Sequence, residues 1–472
     1  MKYIKTIITV FSFILVTNCD SFLEVDQIGK SSIPVFFSDM DGIRGALPGA
    51  YSSVYKYYGE ELVLYPDVAG DMLQLVSVGD NPMLSQYNYN SNPQDELTAV
   101  GGIWTDANEA LVNVNNILEY QPELLDAFPE SADELRIIKA EALFLRALIH
   151  FDLVRVYAQP YNFTADASHI GVPVILKTPS SDDNVARNTV KEVYTQIIKD
   201  LKESETLYGD ETGSESSYYA SKRAVYGLLA RAFLYTENWT EAVSYSTLAI
   251  NSTPLAEGQD YLDMFLEVED DDESLFKLNG KLKSPELISF YNLQSPLGYA
   301  SEKLMNLLDE NPDDLRLQLL EFNSGANTYG TLKYLKESLP IAEKYYNIIV
   351  LRTSEMYLIR AEANNNLDAL TEAIADVKTL LARNYQKEVS EITITENTKE
   401  AVAALIDVER TKELCFEGHR LYDLTRTKQD MVRDASTSSN INEVLYPNSM
   451  FILPIPQKEM DVNTGMIQNE DY

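Results

Sequence analysis

Apolar residues recur at helical spacing along most of this chain. Between Leu135 and Tyr157, the residues Ile137, Phe144, Ala147, Leu148, Phe151 and Val154 form one amphipathic stripe. Comparable stripes run over about 39–57, 103–120, 190–208, 221–236, 239–251, 351–365, 369–383 and 400–417. Ser38 and Asp41 form an S-x-x-D capping signal for the first of these. Strand-like runs are short: Leu62 to Leu64, Leu275 to Leu278 and Phe451 to Pro454. A helix with one apolar stripe must bury it against another element. The pattern therefore predicts a mainly α fold of stacked helices.

Two helix pairs carry tetratricopeptide-like spacing. Tyr226, Leu229, Ala230 and Phe233 match the first helix of such a unit, and Ala242, Ala249 and Pro254 the second. Ser246 stands where an aromatic is expected. A second unit runs through Tyr357, Ala361, Ala373 and Val377. Small residues let helices approach, and the aromatics fill the space between them. The expected scaffold covers about 103–255 and 345–430. The loop-rich portions, about 55–102 and 256–345, are rich in Pro and Gly. They are too long to be simple connectors, which points to function.

The first eighteen residues read as an address. Lys2 and Lys5 precede the apolar run Ile7 to Val16, which is too short to span a bilayer. Cys19 follows directly, as in a bacterial lipoprotein signal. The expected mature chain is a single domain, residues 19–472, tethered to a membrane by acyl groups on Cys19. Cys415 is left without a partner and is expected to be a small buried apolar residue.

Composition narrows the chemistry. The 472 residues hold 38 Lys and Arg against 73 Asp and Glu, a net charge of −35. Such a chain repels phosphate backbones, so nucleic acid is not an expected partner. With 3 His and 2 Cys, few residues could build a His or Cys metal site or a His-dependent triad. No phosphate loop, nucleophile elbow or zinc helix is present. No cofactor is implied. The acidic run Glu267 to Glu273 lacks the glycine of an EF-hand and reads as a solvated turn. His419, beside Glu417 and Arg420, reads as a hydrogen-bonded structural group. The positive signal is 30 Tyr against 2 Trp. A tyrosine offers an apolar face and a polar tip, which suits sugar rings. Tyr57, Tyr58, Tyr87, Tyr89, Tyr291 and Tyr299 lie in or beside the two irregular portions.

Several motifs, in order, are similar to those of one family. Cys19-Asp20-Ser21-Phe22-Leu23-Glu24 opens the series, followed by Gly49-Ala50-Tyr51 and by Ile103-Trp104 with Asn115-Asn116-Ile117-Leu118. Glu141 to Ala147 reads E-A-L-F-L-R-A, and Arg352 to Ala363 forms a further block. Glu413 to Arg420 reads E-L-C-F-E-G-H-R, and Leu453-Pro454-Ile455-Pro456 and Gln468 to Tyr472 close the chain. The sequence resembles the SusD/RagB family of Bacteroidota surface lipoproteins. Cys415, Asn108 and Glu470-Asp471 depart from its usual residues. The resemblance implies a SusD-like fold and a non-catalytic role: capture of an oligosaccharide at the outer membrane and delivery to a SusC-type TonB-dependent transporter. Peptide capture on the same scaffold, a structural adaptor role and a carboxylate-pair glycosidase are the alternatives. Binding in relatives clusters after the first helix and near the inserted region. That makes Asp71, Gln74 and Asn88 candidate hydroxyl partners, with Trp104 capping the site or packing its helix. Glu141, Arg146, Glu355, Arg360, Glu417 and Arg420 are expected to form ion pairs between helices.

Overall fold

The computed structural model describes residues 32–76, 81–180, 183–266, 273–281, 286–292, 294–325, 327–335 and 345–472. Cys19 and the acidic residues 267–272 lie outside them. Helices dominate, as the periodicity requires. Those that build the scaffold include α1 (Met40–Tyr57), α2 (Val63–Val68), α3 (Ala99–Ala127), α4 (Ala132–Tyr157), α5 (Val190–Tyr208), α6 (Lys222–Tyr235) and α7 (Trp239–Ser252). After the inserted region come α8 (Thr353–Asn366), α9 (Leu370–Asn384), α10 (Lys399–Glu413) and α11 (Arg420–Arg426).

Local chemistry sets the ends. Thr189 caps α5 in a reciprocal capping box with Glu192. The cap of α1 is Asp39, whose carboxylate accepts from Gly42 N at 3.0 Å. Ser38 instead donates to Val35 O at 2.8 Å, so the S-x-x-D reading was one residue out. Leu62 to Leu64 is helical rather than a strand. A π-turn, Tyr58–Leu62, joins α1 to α2, and every large apolar residue there is buried. Phe451 to Pro454 runs from a 3-10 turn into extended chain.

Consecutive helices pack as pairs. The aromatics singled out in the sequence lie where α6 meets α7, with Phe233 stacked on Tyr245 at 5.6 Å and Tyr226 6.0 Å from it. Ala242, Ser246 and Ala249 are fully buried. Ala361, Ala373 and Val377 are buried between α8 and α9 in a cluster with Val402 and Ile406 of α10.

Strands are short and paired in twos: β1 (Leu73–Leu75) with β3 (Gly298–Ala300), and β2 (Ser274–Leu278) with β6 (Ile348–Arg352). Likewise β4 (Leu320–Asn323) pairs with β5 (Thr328–Thr331), and β7 (Met431–Val432) with β8 (Glu443–Val444). All four pairs are antiparallel. β2 is buried along its length. It packs against α6, where a Cβ on Gly227 would stand 3.0 Å from Leu275.

A buried charge network ties the inserted region to the C-terminal helices. Arg352 meets Glu273 at 2.9 Å, Glu413 at 2.7 Å and Glu417 at 2.8 Å. Arg383 reaches Glu413 at 2.7 Å, and Arg316 binds Asp314 and Glu409. Burial alone would raise the Glu413 carboxyl, but Arg383, Arg352 and Arg316 hold it well below the usual range. Glu273 thus ends the acidic run inside the protein, not in solvent. Most motif charges pair across elements: Arg146 with Asp200, Glu355 with Arg231, Arg360 with Asp376 and Arg420 with Asp71. Glu141 is the exception. It accepts from the Tyr51 hydroxyl at 2.5 Å, and burial pushes its carboxyl up to about 7. His150 accepts from Ile175 N at 3.1 Å while its Nδ1 lies 2.9 Å from Arg146 O, so it acts as a neutral brace.

Candidate functional site

Three segments far apart in sequence meet at one edge of the fold. In β1, Leu73 and Leu75 point inward and Gln74 is half-buried, the alternation expected of a strand with one solvated face. Gln74 stands opposite Tyr299 of β3. The third segment, 433–442 between β7 and β8, supplies a Ser/Thr-rich loop. Gln74 donates to Ser436 O at 2.5 Å, the Tyr87 hydroxyl shares a hydrogen with Thr437 Oγ1 at 2.6 Å, and Ser439 donates to Asn88 at 2.7 Å. Ser438 donates to Leu75 O at 2.5 Å. Each bond fastens the loop to a residue of the first irregular portion.

Beneath this face the cations are engaged. Asp71 is buried and accepts from Lys303 at 2.6 Å and Arg420 at 2.7 Å. Burial would raise its carboxyl, but Arg420 and Lys303 hold it below the usual range. Arg433 donates to Gly70 O, Tyr87 O, Val68 O and Ile441 O, and lies 3.9 Å over the Tyr87 ring.

Most sequence candidates support this face from behind. Tyr57 and Tyr58 are buried and donate to Asp152 at 3.1 and 3.2 Å. Tyr87 is fully buried. Tyr291 is fully buried, stacked 5.7 Å from Tyr334 and edge-on to Phe416, with no hydrogen-bond partner for its hydroxyl among the described residues. Trp104 is buried edge-on against Tyr157 at 5.0 Å, and its indole N–H points to Glu459 at 3.4 Å. This is packing, the second of its two readings. The expectation that such rings lie open to a sugar fails for Tyr57, Tyr58, Tyr87, Trp104 and Tyr291, because each ring fills a gap between elements. Asp71 is likewise spent on its two cations. Gln74, Asn88 and Tyr89 are half-buried, and Tyr299 is 9% exposed. Tyr89 has φ 51, donates to Ala69 O and stands edge-on to Phe451.

Sequence reasoning missed two elements. One is the Ser436-Thr437-Ser438-Ser439 run, whose signal was its composition. The other is the β4–β5 hairpin, where Phe322, 50% exposed, pairs across the strands with Tyr329 at 5.2 Å. Thr328 of that hairpin donates to Ala300 O at 3.1 Å, which places the aromatic pair beside β3. Its signal was alternation around Asn323-Ser324-Gly325. Elsewhere, His419 is buried with Nδ1 unpartnered. Burial and Arg231, Arg410, Arg155 and Arg352 hold its pKa well below the usual range, which keeps the ring neutral. Cys415 is half-buried and donates to Lys412 O. No three His, Cys, Asp or Glu among the described residues are grouped to hold a metal. No described helix is long and apolar enough to cross a membrane.

Comparison with known proteins agrees with this architecture. Residues 22–234 match a family model described as starch-binding associating with outer membrane, and residues 316–472 match the model of the SusD family. This chain belongs to the SusD/RagB family. Two SusD-like proteins of Formosa agariphila are 24% and 22% identical to it, covering 91% and 100% of this chain and 93% and 99% of their own. Among solved structures, a candidate sugar-binding protein from Bacteroides vulgatus ATCC 8482 superposes with a TM-score of 0.81 at 28% identity, over 92% of this chain and 99% of that one. A SusD superfamily protein from Bacteroides thetaiotaomicron VPI-5482 does so at 0.81 and 25%, over 91% and 99%. The SusD-like fold expected from the motifs is thus the fold observed.

Proposed function

We propose that this SusD-like protein binds an oligosaccharide at the outer-membrane surface, without cleaving it, and passes it to a SusC-type TonB-dependent transporter. One observation carries the binding reading: the first irregular portion, the insertion and the Ser/Thr-rich arm converge on one edge that presents amides, hydroxyls and aromatic rings. Sugars are bound by that combination. The description of the family as starch-binding and associated with the outer membrane supports the ligand class and the location. Capture needs no catalytic group, and many of the buried carboxylates here are taken up by arginines, lysines and tyrosines.

The proposed contact set is narrower than the tyrosine count suggested. Gln74, Asn88, Tyr89 and Tyr299 belong to it, with Phe322 and Tyr329 as the aromatic surface. Tyr57, Tyr58, Asp71, Tyr87, Trp104 and Tyr291 shape it indirectly. Affinity electrophoresis of the purified mature protein against a panel of polysaccharides tests the reading. Retardation by at least one glycan is expected, and Phe322→Ala should weaken it by about 1–2 kcal/mol, since a half-exposed ring contributes part of the value of full burial. Retardation by none, release of reducing ends, or capture of peptides instead would overturn it. Anchoring is tested separately: Cys19→Ala should move the protein from the membrane fraction to the soluble one.

A further inference from the structure

A small cavity, of about 20 Å³, lies where the end of α4 meets α6, α11 and the C-terminal segment. Four polar atoms on its lining residues have no hydrogen-bond partner among the described residues: Arg155 Nε, Gln159 Oε1 and the hydroxyls of Tyr235 and Tyr422. Tyr235 and Tyr422 are 6% and 4% exposed, and the Arg155 side chain 6%. The other polar ends of Arg155 and Gln159 are engaged: Arg155 Nη2 donates to Asp152 at 2.5 Å, and Gln159 Nε2 to Asn448 O at 2.9 Å. A buried donor or acceptor left unpaired bears its full desolvation cost. Native proteins leave few such groups, so four around one cavity point to a ligand.

The four atoms define the chemistry of that ligand. Arg155 Nε can only donate, Gln159 Oε1 can only accept, and the two tyrosine hydroxyls can do either. An anion would face the Gln159 carbonyl oxygen, and a cation would face the guanidinium. Turning the Gln159 amide round would break its bond to Asn448 O. Nor is a charge wanting. Asp152 is fully buried and pairs with Arg155, and no carboxylate among the described residues lines the cavity. A neutral group that donates twice and accepts twice meets all four atoms. A water needs about 10–15 Å³ of such space and two to four polar partners, so the volume admits one water and no sugar. Phe451 and Ile452 close the cavity from the C-terminal segment, which Leu453 N fastens to α4 by donating to Val156 O at 2.9 Å. The Ser/Thr-rich arm follows α11 through β7, so a joint at Tyr422 stands at the root of that arm.

We propose that this cavity binds one structural water that ties α4, α6 and α11 together at the root of the Ser/Thr-rich arm. The water accepts from Arg155 Nε and one tyrosine hydroxyl, and donates to Gln159 Oε1 and the other. Calorimetry and oxygen-17 magnetic relaxation dispersion of water, which counts long-lived internal waters, test this on the mature protein. Tyr235→Phe and Tyr422→Phe each delete one hydroxyl and keep the ring. With the water in place, each variant loses a hydrogen bond, and its Tm should fall by about 1–2 °C in a chain of this length. In a dry cavity the deleted hydroxyl is an unpaired one, and Tm should hold or rise. The double variant should also carry one long-lived water fewer than the wild type. If the double variant fails to fold, the single variants still decide. A Tm that holds or rises in either single variant, or an unchanged water count in the double variant, would overturn the proposal.

Discussion

Arg433 shows how a single side chain can hold a loop in place. Its guanidinium is satisfied by four backbone carbonyls and by the Tyr87 ring, with no carboxylate among its hydrogen-bond partners. Three of those carbonyls, on Val68, Gly70 and Tyr87, belong to the first irregular portion, and the fourth to the Ser/Thr-rich arm. Arg433→Ala should cost about 2–4 kcal/mol in chemical denaturation, because several buried acceptors lose their donor together. Arg433→Lys should recover little, since a point charge cannot span that planar fan. Gly418 is a second case. It holds φ 78 against the Val63 backbone, and its N–H donates to Asp67 at 2.8 Å. A Cβ there would lie 3.1 Å from Val63 Cα and O. Gly418→Ala should therefore destabilise by about 1–3 kcal/mol, a loss that thermal unfolding would reveal. The glycine in the E-L-C-F-E-G-H-R motif is a backbone requirement, not a ligand contact.

At the scale of elements, helices were legible and the site was only half so. The stripe at 190–208 became α5 with the same bounds, because one face alone is apolar and Thr189 marks its start. Periodicity is silent where a helix is buried all round. Leu62 to Leu64 looked like a strand for that reason, and the π-turn had no signal. The two irregular portions were found from their Pro and Gly, but not which rings face outward. Tyr57 and Tyr58 were legible as residues near a site, yet their partner Asp152 sits on a helix about ninety positions away. The Ser/Thr-rich arm was invisible as part of the site because its contacts span more than 350 positions. Ser246 gives the element-level test. It replaces the expected aromatic, is fully buried, and bonds back to Ala242 O at 2.6 Å. The space the missing ring would take is filled by Tyr245 stacked on Phe233. Ser246→Phe should thus overpack α6 against α7 and cost about 1–3 kcal/mol, lowering the denaturation midpoint instead of restoring the repeat.

For the whole molecule, the buried carboxyls set a pH dependence with a definite sign. Burial pushes Glu61, Asp67 and Glu141 each up to about 7. In the unfolded chain such groups ionise near pH 4. Folding therefore takes up protons between about pH 4 and 7, and the associated stability is full below that window and lost as pH rises through it. Asp71, Glu413, Glu417 and Asp423 act the other way, being held below their usual range against burial by neighbouring cations. Their contribution is present above about pH 4 and is lost in stronger acid. Stability should peak on the acid side of neutrality, with Tm higher at pH 5.5 than at pH 8. The net charge of −35 pushes the same way, since protonation relieves self-repulsion. The two causes separate by salt: screening weakens repulsion between exposed charges but acts little on buried groups. Glu141→Gln decides the buried share. Glutamine is neutral at every pH and still accepts from Tyr51, so the variant should gain stability at pH 8, change little at pH 5.5, and narrow the gap in high salt. A Tm that is flat or rising from pH 5.5 to 8, or a gap untouched by this substitution, would show that Glu141 ionises in the folded protein as freely as in the unfolded chain.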